Sequence, residues 1–377
     1  MRIHQTPANR PRHRQQGAAL LILLTIVVLA SGYALLKRLN NNPEILRASD
    51  TAAVLAEAKA ALVGYALSSK IPSNQPGRLP CPDYSTDGNL DGLSDACIEN
   101  GTYVTIGRLP WKTLGLRDLR DASGESLWYA PDINFDGNSQ INSETQADLR
   151  VVSNNTEQIA AVIIAPGKVT STQSRPQDLA SQTTPGRYLE ASNAIADTNI
   201  SSVAPSPATE FTDQVLVITR DELMQVVERL VLAELRSALN ALATLPPPAA
   251  HGFEVCDPAP LQQGLLPITA DANCPAITLP IWPGWFSDNS TGWQRLIWYA
   301  ADSGGGITVQ DGGTNVTGVQ GLLIAVGSEI SSFQDRSVST PPPLNSLLEQ
   351  TNNDSDLNFE IFPSSPVTND QLLIVSP

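Results

Sequence analysis

Histidine, cysteine, methionine and aromatic side chains are scarce in this chain: 3 His, 4 Cys, 2 Met and 5% aromatics among 377 residues. The histidine shortage narrows nucleophilic and general-base catalysis. His4 and His13 lie near the N-terminus, and His251 stands in the proline-bounded stretch PPPAAHGF. No G-x-S-x-G elbow accompanies it, so a Ser-His-Asp site has no support. GxxxxGK is also absent, and Gly304-Gly305-Gly306 is a glycine run without a lysine to reach a phosphate. Basic residues are outnumbered, 23 Lys and Arg against 38 Asp and Glu, for a net charge of −15. Phosphate backbones need clustered Lys and Arg, so nucleic acid is not an expected partner. Paired-carboxylate chemistry is the one catalytic class that an acidic chain leaves open. The expectation is a protein that is not an enzyme.

The few cations are unevenly placed. Arg2, Arg10, Arg12 and Arg14 stand in residues 1–17, where there is no acid, and Lys37-Arg38 follow the uncharged run Ala18 to Leu36. As a helix that run is long enough for about 30 Å of hydrocarbon. The charge bias keeps the basic head cytoplasmic and exports the acidic body. Cysteine usage fits export. Cys81/Cys97 and Cys256/Cys274 form two local couples, each inside one repeat unit, and read as two disulfides. A zinc site is the rival, but no CxxC or close histidine accompanies them.

A tandem repeat is the most informative feature. SDTAAVLAEAKAALVGYALSSK reads as an amphipathic helix with Val54, Leu55, Ala58, Leu62 and Tyr65 on one side, and Ser49 or Asp50 placed to cap it. Its counterpart opens at Thr219-Arg220-Asp221-Glu222, a capping box. Each helix is followed by prolines and a cysteine couple, then by RLPW or LPIW, then by LWYAPD (Leu127 to Asp132) or IWYAAD (Ile297 to Asp302). AAVIIAPG is answered by GLLIAVG, YLEASN by LLEQTN, and DQVLVIT by DQLLIVS. Six matches in one order define a duplication, with a unit long enough for a domain. Helix, disulfide loop and several strands make each unit α+β, with antiparallel sheets. Thr170 to Arg187 and Ser331 to Pro343 read as surface loops. Trp111, Trp128, Tyr129, Trp282, Trp298 and Tyr299 recur between units and read as core, whereas Trp285 and Trp293 have no counterparts and are candidates for a sugar platform.

Calcium is the expected cofactor if there is one. DGNLDGLSD places Asp87, Asn89, Asp91 and Asp95 at alternate positions of an EF-hand-like loop, with Gly92 allowing the turn and Ile98 replacing the last glutamate. DINFDGNSQINSE offers a weaker version with Asp132, Asn134 and Asp136. Water-solvated Asx turns are the plain alternative for both.

Arg14-Gln15-Gln16-Gly17 followed by Ala18-Ala19-Leu20-Leu21-Ile22 resembles the leader of type IV prepilins. That resemblance implies cleavage between Gly17 and Ala18 by a prepilin peptidase, methylation of the new N-terminus, and a helix that anchors in the inner membrane and later packs against other pilin-like subunits. Major pilins carry glutamate at the fifth mature position; here Ile22 stands there. Its absence is associated in the family with minor subunits such as the K-type minor pseudopilin of type II secretion. The implied map is a basic leader (1–17), a transmembrane helix (18–38), and two pilin-like heads (39–218 and 219–377). The implied protein is a minor pilin- or pseudopilin-like subunit, single-pass in the inner membrane with its heads outside. Competing readings are a cleavable signal peptide, disfavoured by the length of the apolar run, and a signal-anchored periplasmic binding or scaffold protein.

Overall fold

A computed structural model describes residues 43–68, 75–84, 90–99, 102–136, 140–152, 156–176, 182–195, 198–202, 210–249, 254–255, 262–270, 277–287, 292–330, 334, 336, 344–354, 356–365 and 368–376. Gly17, Ala18, the 18–38 run, Asp87, Asn89, His251, Cys256 and Cys274 lie outside them. Among the described residues no helix is long and apolar enough to cross a membrane. Two compact units divide the chain, Met1–Ala52 and Ala53–Pro377. In the first, residues 43–52 are described and are helical.

Helix α1 spans Pro43–Ala66. Proline's fixed φ suits the first helical turn, where its missing N–H has no partner to lose. The helix therefore begins ahead of Ser49 and Asp50, which were expected to cap it and instead lie inside it. Within the second unit, Leu55, Ala58, Leu62 and Ala66 are buried at helical spacing. The following turn closes with Ser68 N–H donating to Tyr65 O.

The fold is α+β. Its first sheet comprises β1 (Gly107–Arg108), β2 (Trp128–Pro131), β3 (Leu149–Val151), β4 (Thr156–Ala165), β5 (Asn199–Ile200) and β6 (Gln214–Thr219). β1, β2, β4 and β6 pair in that order, each antiparallel to the next. β3 joins the early part of β4 antiparallel and takes β5 as a parallel neighbour. β6 runs directly into helix α2 (Arg220–Leu239). Beyond α2 lie β7 (Gln263–Leu265), β8 (Ile297–Ala301), β9 (Ile307–Asp311), β10 (Thr314–Val319), β11 (Gly321–Ala325), β12 (Asn358–Ile361) and β13 (Gln371–Ser376). The pairing repeats: β7, β8, β11 and β13 are antiparallel in that order. β9 is antiparallel to β10 and parallel to β12.

The agreement extends to single side chains. Trp128 faces Ile164 across the ladder as Trp298 faces Ile324. Tyr129 donates to Pro80 O at 3.1 Å, and Tyr299 donates to Pro246 O at 3.0 Å. Opposite each tyrosine the partner strand carries glycine, Gly107 and Gly264. There a Cβ would come within 2.8 Å of Asp83 O or 2.7 Å of Ala249 O. Glycine is required at both places because another stretch of backbone crosses the strand.

α2 joins the halves. Thr219 Oγ1 accepts from Glu222 N at 3.2 Å, as the capping pattern predicts. Leu223, Met224, Val227, Val231, Leu232, Leu235 and Leu239 are all buried, a stripe too wide for one packing face. The helix contacts β4 and β6 of the first sheet and β11 and β13 of the second. One core cluster therefore runs through both halves, and residue 219 marks a turn inside a single compact unit.

Gly264→Ala should lower stability by about 1–3 kcal/mol through overpacking against Ala249 O. Gly284→Ala, where a Cβ meets nothing within 4 Å, is the matched control. Denaturant midpoints of the two variants check this.

Candidate functional site

The first disulfide is formed: Cys81 and Cys97 are bonded across 16 residues with Cα atoms 5.1 Å apart. Inside the loop, Asp83 is 2% exposed. Its Oδ2 accepts from Gly92 N at 2.7 Å, and its Oδ1 accepts from no donor among the described residues. Burial, with Asp95 and Asp91 nearby, pushes its carboxyl up to about 6, against the Gly92 hydrogen bond. Asp95 Oδ2 accepts from Tyr84 N, and Asp91 Oδ1 from Leu93 N, both at 2.9 Å. Gly92 has φ +83, and a Cβ there would strike the Trp111 ring. Asp83 was missing from the set expected from the sequence, because it precedes the alternating run.

The second acidic stretch has other work. Asp132 Oδ1 accepts from Asn134 N, while Oδ2 accepts from Asp148 N and Leu149 N. Asp132 thus organises the turn into β3. Asp136, 3% exposed, lies beside the Arg78 guanidinium and the Tyr103 hydroxyl. Burial and then the contact with Asp136 raise the Tyr103 phenol. Among the described residues one group of three ligand-type side chains gathers, Cys81, Cys97 and Asp136. Its two sulfurs are joined to each other and offer no thiolate. Asn134 is half-buried on the short 3-10 turn between Asp132 and Asp136.

A buried polar cluster occurs twice. In the first half Arg175 donates to the carbonyls of Pro166, Gly167 and Tyr188. Gln173 donates to Tyr188 O and to Glu190 Oε1. In the second half Arg336 donates to the carbonyls of Val326, Gly327 and Ser346. Gln334 donates to Leu347 O and Glu349 Oε1. Both loops were expected at the surface, and each instead turns a Gln-x-Arg inward. The cause is the loss of partners where β4 and β11 end, since their last carbonyls need donors and guanidinium supplies several at once. Gln173-Ser174-Arg175 and Gln334-Asp335-Arg336 were available in the sequence as a seventh match. The residues after both glutamates, Ala191 and Gln350, take φ of 51° and 52°, a strained conformation preserved in both halves.

Where the halves meet, residues 141–144 reach across. Ile141 is fully buried, and its Cγ2 would lie 3.0 Å from a Cβ at Gly77. Ser143 donates to Glu228 Oε1 at 2.6 Å, and Gln371 Nε2 donates to Glu228 Oε2. Burial pushes the Glu228 carboxyl up to about 7, against these two donors. Glu144 pairs with Arg336 at 3.3 Å, and Lys59 with Glu222 at 2.7 Å. Ser143, Glu228, Arg229, Asn369 and Gln371 help to line a cleft of about 940 Å³ along α2.

The tryptophans proposed as a sugar platform are interior. Trp285 is 4% and Trp293 0% exposed, and they meet edge to face at 6.3 Å. Trp285 Nε1 donates to Glu234 Oε2 at 3.0 Å, which draws the ring onto α2. No family model, curated protein or solved structure matches the chain.

Arg336→Ala should cost about 3 kcal/mol or more, because several buried carbonyls and the Glu144 carboxylate lose their donor together. Arg336→Lys should recover less than half of that, lacking the fork. Urea unfolding of both variants measures the difference.

Proposed function

We propose that the protein is a minor pilin- or pseudopilin-like subunit: held in the inner membrane by residues 18–38, exported beyond them, and acting by assembly and surface contact rather than by turnover. The observation that carries the reading is the order of parts. A basic leader ending in Gly17 is followed by an apolar run and then by α1. The latter part of α1 is seated in the head core by Leu55, Ala58, Leu62 and Ala66. An apolar run followed closely in the sequence by a helix packed into the head core suits a subunit that works by position, which a simple tether does not need. The repeated strand order and paired side chains support a duplicated head. The internal hydrogen bonds of Glu190, Asp213, Glu349 and Asp370 favour a structural role for them over catalysis.

The competing reading, an anchored periplasmic binding or scaffold protein outside any filament, is favoured by the cleft along α2. Mass spectrometry of the mature N-terminus separates the two. N-methylated Ala18 is expected for the pilin-like subunit, and an intact Met1 would rule it out.

Calcium bound by the first disulfide loop belongs to the same proposal. Asp83 and Asp91 both hold the Gly92 turn there, accepting from Gly92 N and Leu93 N. Calcium should raise the melting temperature by several degrees, and Asp91→Ala should remove the response. Melting that ignores chelator would eliminate the metal.

A further inference from the structure

Two aspartates on equivalent strands face glutamates from equivalent loops. Asp213, immediately before β6, is 1% exposed; Asp370, immediately before β13, is 6% exposed. Asp213 Oδ2 accepts from Glu190 N at 3.0 Å and from Asn193 Nδ2 at 2.9 Å. In return Glu190 Oε2 accepts from Thr212 N and Asp213 N, both at 3.0 Å. Asp370 Oδ2 accepts from Glu349 N at 3.1 Å, and Glu349 Oε2 accepts from Asn369 N and Asp370 N. The two lattices are the same one drawn twice.

Each lattice leaves one oxygen over. Asp213 Oδ1 and Asp370 Oδ1 are buried and accept from no N–H or O–H among the described residues. Each carboxylate is tied to its partner residue's own backbone N–H, which holds the two carboxyl groups against one another. Ionised carboxylates only accept, so two of them can share a hydrogen bond only when one holds a proton. Each glutamate has donors on both oxygens: Gln173, Thr212 and Asp213 at Glu190, and Gln334, Asn369 and Asp370 at Glu349. The unfilled aspartate oxygen is the place left for the proton.

We infer that each half of the protein carries one structural proton, shared between Asp213 and Glu190 in the first and between Asp370 and Glu349 in the second, and that these protons make the fold tighten in acid and loosen in alkali.

The surrounding charges allow this. Around the first pair stand Arg175, ion-paired with Glu125 at 3.1 Å, and Glu210, which accepts from Ser171. Arg175 aims its guanidinium at carbonyls and at Gln173 Oε1 rather than at Asp213. Around the second stand Arg336, paired with Glu144, and Glu360, which accepts from Thr351. Across the cleft are Arg220, Asp221, Glu228, Arg229 and Glu329. Burial, with the neighbouring glutamate, pushes Asp213 up to about 8 and raises Asp370 well above the usual carboxylate range. A folded-state value above the unfolded one means that the stability is fully present below the unfolded value, near 4, and is lost as pH rises through the folded one. Over that window the folding constant falls by up to about tenfold per pH unit for each site.

Asn at either aspartate keeps the shape and supplies a permanent donor to the glutamate. Urea unfolding of the full-length wild type and of Asp213→Asn/Asp370→Asn, from pH 5 to pH 9, tests the inference. The wild type should weaken steadily as pH rises, the double variant should match it near pH 5, and the variant should be the more stable by at least tenfold in folding constant at pH 8. A wild type whose stability is flat or rising over this range would overturn the inference, as would a variant with the wild-type pH slope. Should the variant not fold, infrared spectra of the wild type at pH 7 decide. A protonated-carboxyl band that resists exchange and persists in Glu228→Gln supports the shared proton, and its absence from that variant refutes it.

Discussion

The two-sided burial of α2 is the constraint on which the rest of the structure depends. Seven apolar side chains of one 20-residue helix are withdrawn from water. At about 1.5–3 kcal/mol each, their gross contribution is on the order of 10–20 kcal/mol, as large as the whole net stability of an ordinary domain. The helix contacts strands of both sheets, so neither half can release it without exposing that surface. Two repeats that would otherwise be beads on a string become one body, and the clasp of residues 141–144 closes over the same helix. The latter part of α1 also packs into this core through Leu55, Ala58, Leu62 and Ala66.

Polar interior groups then set the fine geometry. Just past the ends of β4 and β11 the backbone carbonyls leave the ladder, and in each half an arginine from a long loop donates to several of them. The same loop brings a glutamine, which fixes the glutamate, which fixes the backbone ahead of the last strand. Removing any member leaves the others buried without partners, so the cluster specifies one arrangement more than it adds net stability. Its presence in both halves, down to the strained residue after the glutamate, marks it as part of the fold itself.

Much of this was legible in the residues. The repeat gave the equivalence of Trp128 with Trp298 and of Tyr129 with Tyr299, because core positions under a shared strand order keep their volume. Thr219 read correctly as a cap, since its chemistry is local. What escaped was non-local. The inward Gln-x-Arg loops look like solvated Ser- and Pro-rich segments until the strand ends they serve are in place. Trp285 and Trp293 lack counterparts in the first half, yet both are interior, with Trp285 drawn onto α2 by Glu234. Asp132 stands at metal-ligand spacing, and its bonds to three backbone N–H groups, two of them from residues 148 and 149, could not be read from that spacing. The start of α1 was placed late because Ser49 and Asp50 resemble a cap, while Pro43 already provides a first turn.

Native-state hydrogen exchange, read along α2, β4 and β11, tests the central claim that the two halves are one body. Amides of the helix and of both sheets should open together, with one free energy and one denaturant dependence. Exchange in which one sheet opens at lower free energy than the helix, while the other stays closed, would contradict the account.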